Sequence, residues 1–133
     1  MRKPNSAFAA GLVLCIASAS PAVAEDFPDM VGVLGDPRHF EARGEPLQEP
    51  RTAAFDITIT IMRQEGRYVW GTISGGGATE PWLGSLWSDG SGYRAVDSDG
   101  HVDGRILSED RIENCYTHTG ETMVVSCSIL TRQ

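Results

Sequence analysis

Phe55, Ile57, Ile59 and Ile61 alternate with Asp56, Thr58, Thr60 and Met62. A period of two places four large apolar side chains on one face of an extended chain, which specifies a half-buried β-strand. Downstream, turn formers recur every 8–12 residues, the spacing of an all-β sandwich or barrel. Glu65-Gly66, Asp89-Gly90, Asp99-Gly100, Glu109-Asp110 and Gly120 punctuate the segments Arg67 to Ser74, Glu80 to Trp87, Tyr93 to Asp97, His101 to Leu107, Arg111 to His118 and Met123 to Thr131. Asp and Gly tolerate the left-handed backbone that primed hairpin turns require. Ser74-Gly75-Gly76-Gly77-Ala78 reads as a flexible connector, and Met30 to Leu34 as a short first strand. If the Glu65-Gly66 turn has two residues, Trp70 falls opposite Ile61 on the same face. No stretch after the N-terminal region repeats apolar residues at three- and four-residue spacing over ten positions, so no helix is expected. The result is an eight-stranded antiparallel meander, and closing the first strand on the last removes both edges.

Arg2 and Lys3 precede an uncharged apolar run from Ala7 to Ser20, and Ala22-Val23-Ala24 fits the small-x-small rule for signal-peptidase cleavage. The run is too short to cross a bilayer, which takes roughly 20 apolar residues. Export followed by cleavage after Ala24 is therefore expected, into a periplasm or secreted, with residues 25–133 forming one barrel domain. All 18 acidic residues lie beyond Ala24, whereas Arg2 and Lys3 are the only basic residues before it among 11, so the mature charge moves from −7 to −9. Clustered basic charge for nucleic acid is missing. Lys3 is the sole lysine, which excludes Schiff-base chemistry from the mature chain.

Cys15 leaves with the signal, and Cys115 and Cys127 remain in an oxidising compartment, where a pair of cysteines forms a disulfide. They flank the final turn almost symmetrically, so a hairpin there sets them opposite each other on adjacent strands. The segment Asp36 to Ala53 contains Pro37, Pro46 and Pro50 and few apolar residues, and reads as a long loop between the first two strands, over one mouth.

Catalytic and metal patterns are weak. No serine is flanked by glycines as in Gly-x-Ser-x-Gly, and Gly75-Gly76-Gly77 lacks a following helix to bind phosphate. Asp97-Ser98-Asp99-Gly100 resembles the start of a calcium loop. Counting from Asp97, however, Val102 and Ser108 occupy the sixth and twelfth positions, where Gly and Glu are required. His39, His101 and His118 show no zinc-ligand spacing and read as surface or hairpin-end histidines. Neither a metal, a cofactor nor an enzymatic activity is expected. Aromatic residues are the candidate ligand set: Tyr68, Trp70, Trp82, Trp87 and Tyr93. Inward aromatics of a small barrel fill its core or line a cavity for one ligand. Trp82 and Trp87 differ by an odd number of positions, so one of them faces outward.

Gln64-Glu65-Gly66-Arg67, Glu80-Pro81, Asp97-Ser98-Asp99-Gly100, Cys115-Tyr116, and Cys127 with Leu130-Thr131-Arg132 resemble the landmarks of small exported bacterial proteins of unassigned function. The likeness covers Ala54 to Gln133 and implies a calycin-type barrel, the group that contains lipocalins and avidins. Those two families begin with Gly-x-Trp on the first strand, whereas Gly32-Val33-Leu34 lacks the Trp, so no ligand residues carry over. The reading is a binding barrel for a small apolar or aromatic molecule at one mouth. A protein-binding module, such as a periplasmic protease inhibitor or envelope adaptor, is the alternative.

Overall fold

The computed structural model of the protein describes residues 26–44 and 51–133, and the side chains of Phe40, Glu41 and Arg51 lie outside that description. The expected signal segment also falls outside it. Eight strands run in chain order: β1 (Gly32–Gly44), β2 (Arg51–Glu65), β3 (Tyr68–Gly75), β4 (Ala78–Leu86), β5 (Gly92–Val96), β6 (His101–Ser108), β7 (Arg111–His118) and β8 (Met123–Arg132). Each pairs antiparallel with its neighbours, and β1 also pairs with β8, so the sheet is a closed barrel. No helix occurs among the described residues.

Alternation decides which side chains enter. In β8 Val124, Ser126, Ser128 and Leu130 are buried, while Met123, Val125, Cys127 and Ile129 face out. Ile57, Ile59 and Ile61 of β2 point inward as their period of two requires. They meet Val69, Trp82, Leu86, Tyr93, Val102, Ile112 and Leu130 in one core. Outside, Arg63, Arg94, Asp103, Arg105 and Arg111 are exposed. Exposed apolar residues share that outer surface, among them Met62, Leu83, Val96 and Val125.

Two tyrosines need glycine beside them. A Cβ on Gly104 would lie 2.1 Å from the Tyr93 ring, and one on Gly100 would lie 2.4 Å from the Tyr116 hydroxyl. Both glycines sit on β6 or at its start, where their missing side chains leave room for a ring from the adjacent strand. Tyr93 uses that room to donate a 2.8 Å hydrogen bond to Asn114 Oδ1.

Three expectations change. The Asp36–Ala53 segment is not a loop throughout: β1 extends to Gly44 and β2 starts at Arg51. A register shift between Asp36 and His39 accommodates Pro37, because a bulge leaves a residue unpaired where proline has no N–H to offer. The stretch from Ser74 to Ala78 is a tight hairpin rather than a flexible connector. Gly76 and Gly77 take φ of 57° and 86°, a left-handed backbone that suits glycine, and Gly75 pairs directly with Ala78. Finally, a shift between Ile61 and Arg63 pairs Ile61 with Gly71 and Arg63 with Trp70. One residue of slip turns Trp70 to the outer face, where the Arg63 guanidinium stacks 4.7 Å from its ring centre.

Candidate functional site

The two barrel ends differ. At the end where the chain enters and leaves, the segment before β1 crosses the opening. Met30 is buried there, its N–H donates to Gln64 Oε1 at 2.8 Å, and Gln64 Nε2 donates to the Pro28 carbonyl at 3.0 Å. Arg132 donates to the carbonyls of Val31, Asp29 and Glu109. These bonds commit the polar groups of this end to the plug. A groove of about 500 Å³ beside it is lined in part by the same Asp29, Met30 and Arg132.

Among the described residues the opposite end is open. A cavity of about 250 Å³ enters the barrel between the β3–β4, β5–β6 and β7–β8 hairpins. Its apolar surface comes from Phe55, Ile57, Ile73, Ala78 and Val124. All five belong to the inward parity of their strands, so the same alternation that builds the core furnishes this wall. His39 lies deeper, 2 % exposed. Its Nδ1 shares a 2.5 Å hydrogen bond with Ser128 Oγ, and its ring sits 5.0 Å from Phe55. His39 is thus a core histidine, and the bulge at Pro37 is what turns it inward; the expectation of a surface position fails for it. His101 is exposed as expected, and His118 stands half-buried with its ring 6.2 Å from Tyr116 at the cavity.

One side of the mouth is acidic. Glu80 of β4 and Asp97 and Asp99 of the β5–β6 turn bring carboxylate oxygens within 4.8 Å of one another. Extending the Leu83–Val96 register of β4 and β5 carries Glu80 to Asp99. Asp97 accepts from the N–H of Gly100 at 2.8 Å and of Asp99 at 3.3 Å, which caps the turn. Ser98 Oγ donates to Glu80, and Tyr116 Oη donates to Asp99 Oδ1 at 2.7 Å. Burial pushes the Asp97 carboxyl above its ordinary range; the two turn N–H bonds oppose this, and the charges of Asp99 and Glu80 add to it. Tyr116 is raised as well, first by burial and then by its bond to Asp99 and the neighbouring carboxylates.

The Asp97 shift has a definite sign. A carboxyl raised in the folded state binds its proton more tightly there than in the unfolded chain. Its ionisation therefore opposes folding at neutral pH, and that penalty is lost as pH falls through the folded-state value. Asp97→Asn, which keeps the acceptor oxygen for the turn, is expected to melt higher than the parent at pH 7. The gap should close on acidification through the carboxylate range; thermal melts of both proteins across pH 3.5–7.5 would check it, and a gap that widens toward low pH would contradict the assignment.

The aromatic candidates scatter. Trp82 and Tyr93 are buried against each other in the core, with ring centres 5.8 Å apart. Tyr68 and Trp70 lie 6.4 Å apart on the outer face of β3. Trp87, 40 % exposed, follows β4 at the plugged end, where it covers Gly92. Trp82 and Trp87 face opposite ways, as their spacing requires. None of the five aromatics lines the open cavity. The residues that do line it were readable only in part: Asp97 shares inward parity with Tyr93 and Ala95, and Glu80 with Trp82.

No family model, curated protein or solved structure matches this chain. Fold and geometry are therefore the only bases for function.

Proposed function

We propose that this chain is an exported, non-enzymatic barrel that binds one small, partly apolar molecule at its open mouth. The carrying observation is the 250 Å³ cavity, with Phe55, Ile57, Ile73 and Val124 forming an apolar wall at the end opposite the segment that precedes β1. An eight-stranded barrel has an interior wide enough to be filled by side chains or to admit one small ligand. At the plugged end the larger groove is bordered by Asp29, Met30 and Arg132, whose hydrogen bonds hold the segment before β1, whereas the cavity at the other end is walled by side chains of the strands and hairpins themselves. Export fits the N-terminal pattern and the Cys115–Cys127 disulfide, a bond that persists in oxidising compartments. The calycin-like assignment fits the same closed meander.

A second reading rests on the outer surface. Trp70 pairs with Leu83 and Leu83 with Val96, and Leu83 and Val96 are each 46 % exposed. This apolar ladder across three strands suits a protein partner, because aromatic residues with apolar neighbours are enriched at interfaces.

Filling the cavity separates the two readings. Ile73→Trp is expected to weaken small-molecule binding at least about tenfold, the scale of losing roughly 1.4 kcal/mol of contact, while Trp70→Ala leaves it unchanged. NMR shift perturbation with a panel of partly apolar compounds is the measurement. Shifts confined to the Trp70–Leu83–Val96 face, or none at Phe55, Ile57 and Val124, would reject the cavity as the binding site.

A further inference from the structure

Besides Arg43, His39 and His118, the cavity has a cluster of carboxylates, an apolar wall and, among the described residues, one buried hydroxyl with nothing to bond. Ser126 faces the cavity from β8 and is 6 % exposed, yet its Oγ has no hydrogen-bond partner among the described residues. Its neighbours are served: Ser128 is bonded to His39, and Tyr116, directly opposite Ser126 across β7 and β8, is bonded to Asp99. A buried hydroxyl left unbonded is unfavourable, which makes it a place for a ligand's polar group. The described arginine bridges run to Glu65, Asp103 and Asp110, and Arg43, which also lines the cavity, is itself engaged. Three adjoining carboxylates repel one another, and a cation among them relieves that repulsion.

We propose that the mouth takes an organic cation: an ammonium or guanidinium group held by Glu80, Asp97 and Asp99, on a short apolar body whose second polar group reaches Ser126. The proposal rests on the ligand-binding reading above and names the chemistry of that ligand. Its dimensions follow from the barrel. Tyr116 starts opposite Ser126 and ends at Asp99, so the hydroxyl and the carboxylates stand roughly a tyrosine side chain apart. Between them the ligand body meets Phe55, Ile73 and Val124. A bare metal ion would use the acidic wall alone. Calcium would further require six to eight oxygen ligands, and it would leave both the apolar wall and Ser126 unused. An amino alcohol or an amine bearing a carbonyl engages all three features.

The test is calorimetric titration of the full disulfide-bonded barrel with 6-aminohexan-1-ol, hexylammonium, 1-hexanol, hexanoate and calcium chloride. The amino alcohol is expected to bind one to one, about tenfold or more tighter than 1-hexanol, as a charge-assisted contact implies. Glu80→Gln and Asp99→Asn, both conservative on the exposed side of the mouth, should bring it to the level of the alcohol. Ser126→Ala should weaken the amino alcohol and leave hexylammonium unchanged, a difference that a merely structural role would not produce. Circular dichroism of each variant confirms the barrel. If 1-hexanol or hexanoate binds as well as the amines, the cation inference fails while the ligand reading stands. If calcium alone saturates the mouth and displaces the amine, the site belongs to a metal and the inference fails. If no organic probe binds, both fall together.

Discussion

Trp82→Ala should lower the unfolding free energy by about 3–5 kcal/mol, the range for removing a buried aromatic without collapse of the surrounding core. Trp82 is 2 % exposed, stacks edge-on to Tyr93 and lies over Gly84, where a Cβ would come within 3.0 Å of its ring. The walls of that space are strands held on both sides by ladder hydrogen bonds, so they cannot close in on the gap. Its Nε1 makes no hydrogen bond among the described residues, so the loss is one of packing rather than polarity. Trp82→Phe should accordingly cost much less, because the ring stays and no hydrogen bond is broken. Trp70→Ala is the contrast: on the outer face under Arg63, it should change stability by less than about 1 kcal/mol, as surface substitutions do. Small domains are stable by only about 5–15 kcal/mol in total, so urea titrations of the three variants separate these cases clearly. Equal destabilisation by Trp82→Ala and Trp70→Ala would mean that the faces of β3 and β4 have been assigned the wrong way round.

That contrast also marks how far parity carries from sequence alone. Where a strand is regular, alternation places every side chain correctly. Phe55 to Ile61, the split between Trp82 and Trp87, and the facing cysteines all follow from counting. The eight strands and their closure were legible for the same reason, since short hairpins leave a meander few other routes. Counting fails at a bulge. The shift after Ile61 reverses Trp70, and the shift after Asp36 hides a strand behind Pro37 and turns His39 into the core. No sequence pattern near either position announces the extra residue, because a bulge is chosen by the demands of twist and closure across the barrel. The acidic mouth was missed for another reason. Asp97 and Asp99 read as polar turn residues, which they are, and Glu80 lies 17 residues before Asp97. Only the register of β4 against β5 brings them together.

Replacing Cys115 and Cys127 together by serine should cost about 3 kcal/mol, the loop-entropy value for a ring of this size, and the damage should centre on β8. The two cysteines are direct partners on the outer faces of β7 and β8, with a sequence separation of 12. Removing the bond leaves the interior contacts of Val124, Ser126, Ser128 and Leu130 in place, so the loss comes from the greater freedom of the unfolded chain and, more locally, of a partly opened form in which β8 has left the seam. The location matters because β8 is also half of the seam that closes the barrel. β1 meets β8 at Leu34–Gly35 and again at Ala42–Gly44, with the register broken in between. By contrast, β7 pairs with β8 without interruption from Arg111 to His118. The disulfide thus holds β8 to its well-paired neighbour while its other edge is only partly zipped. Equilibrium unfolding of the double variant, read beside native-state hydrogen exchange, tests both halves of the expectation. Amides on the β1–β8 seam should lose protection more than those of β3 and β4. A loss under about 1 kcal/mol, or a uniform loss of protection around the barrel, would show that closure does not depend on this bond, because a seam that zips unaided has no weak edge for the disulfide to hold.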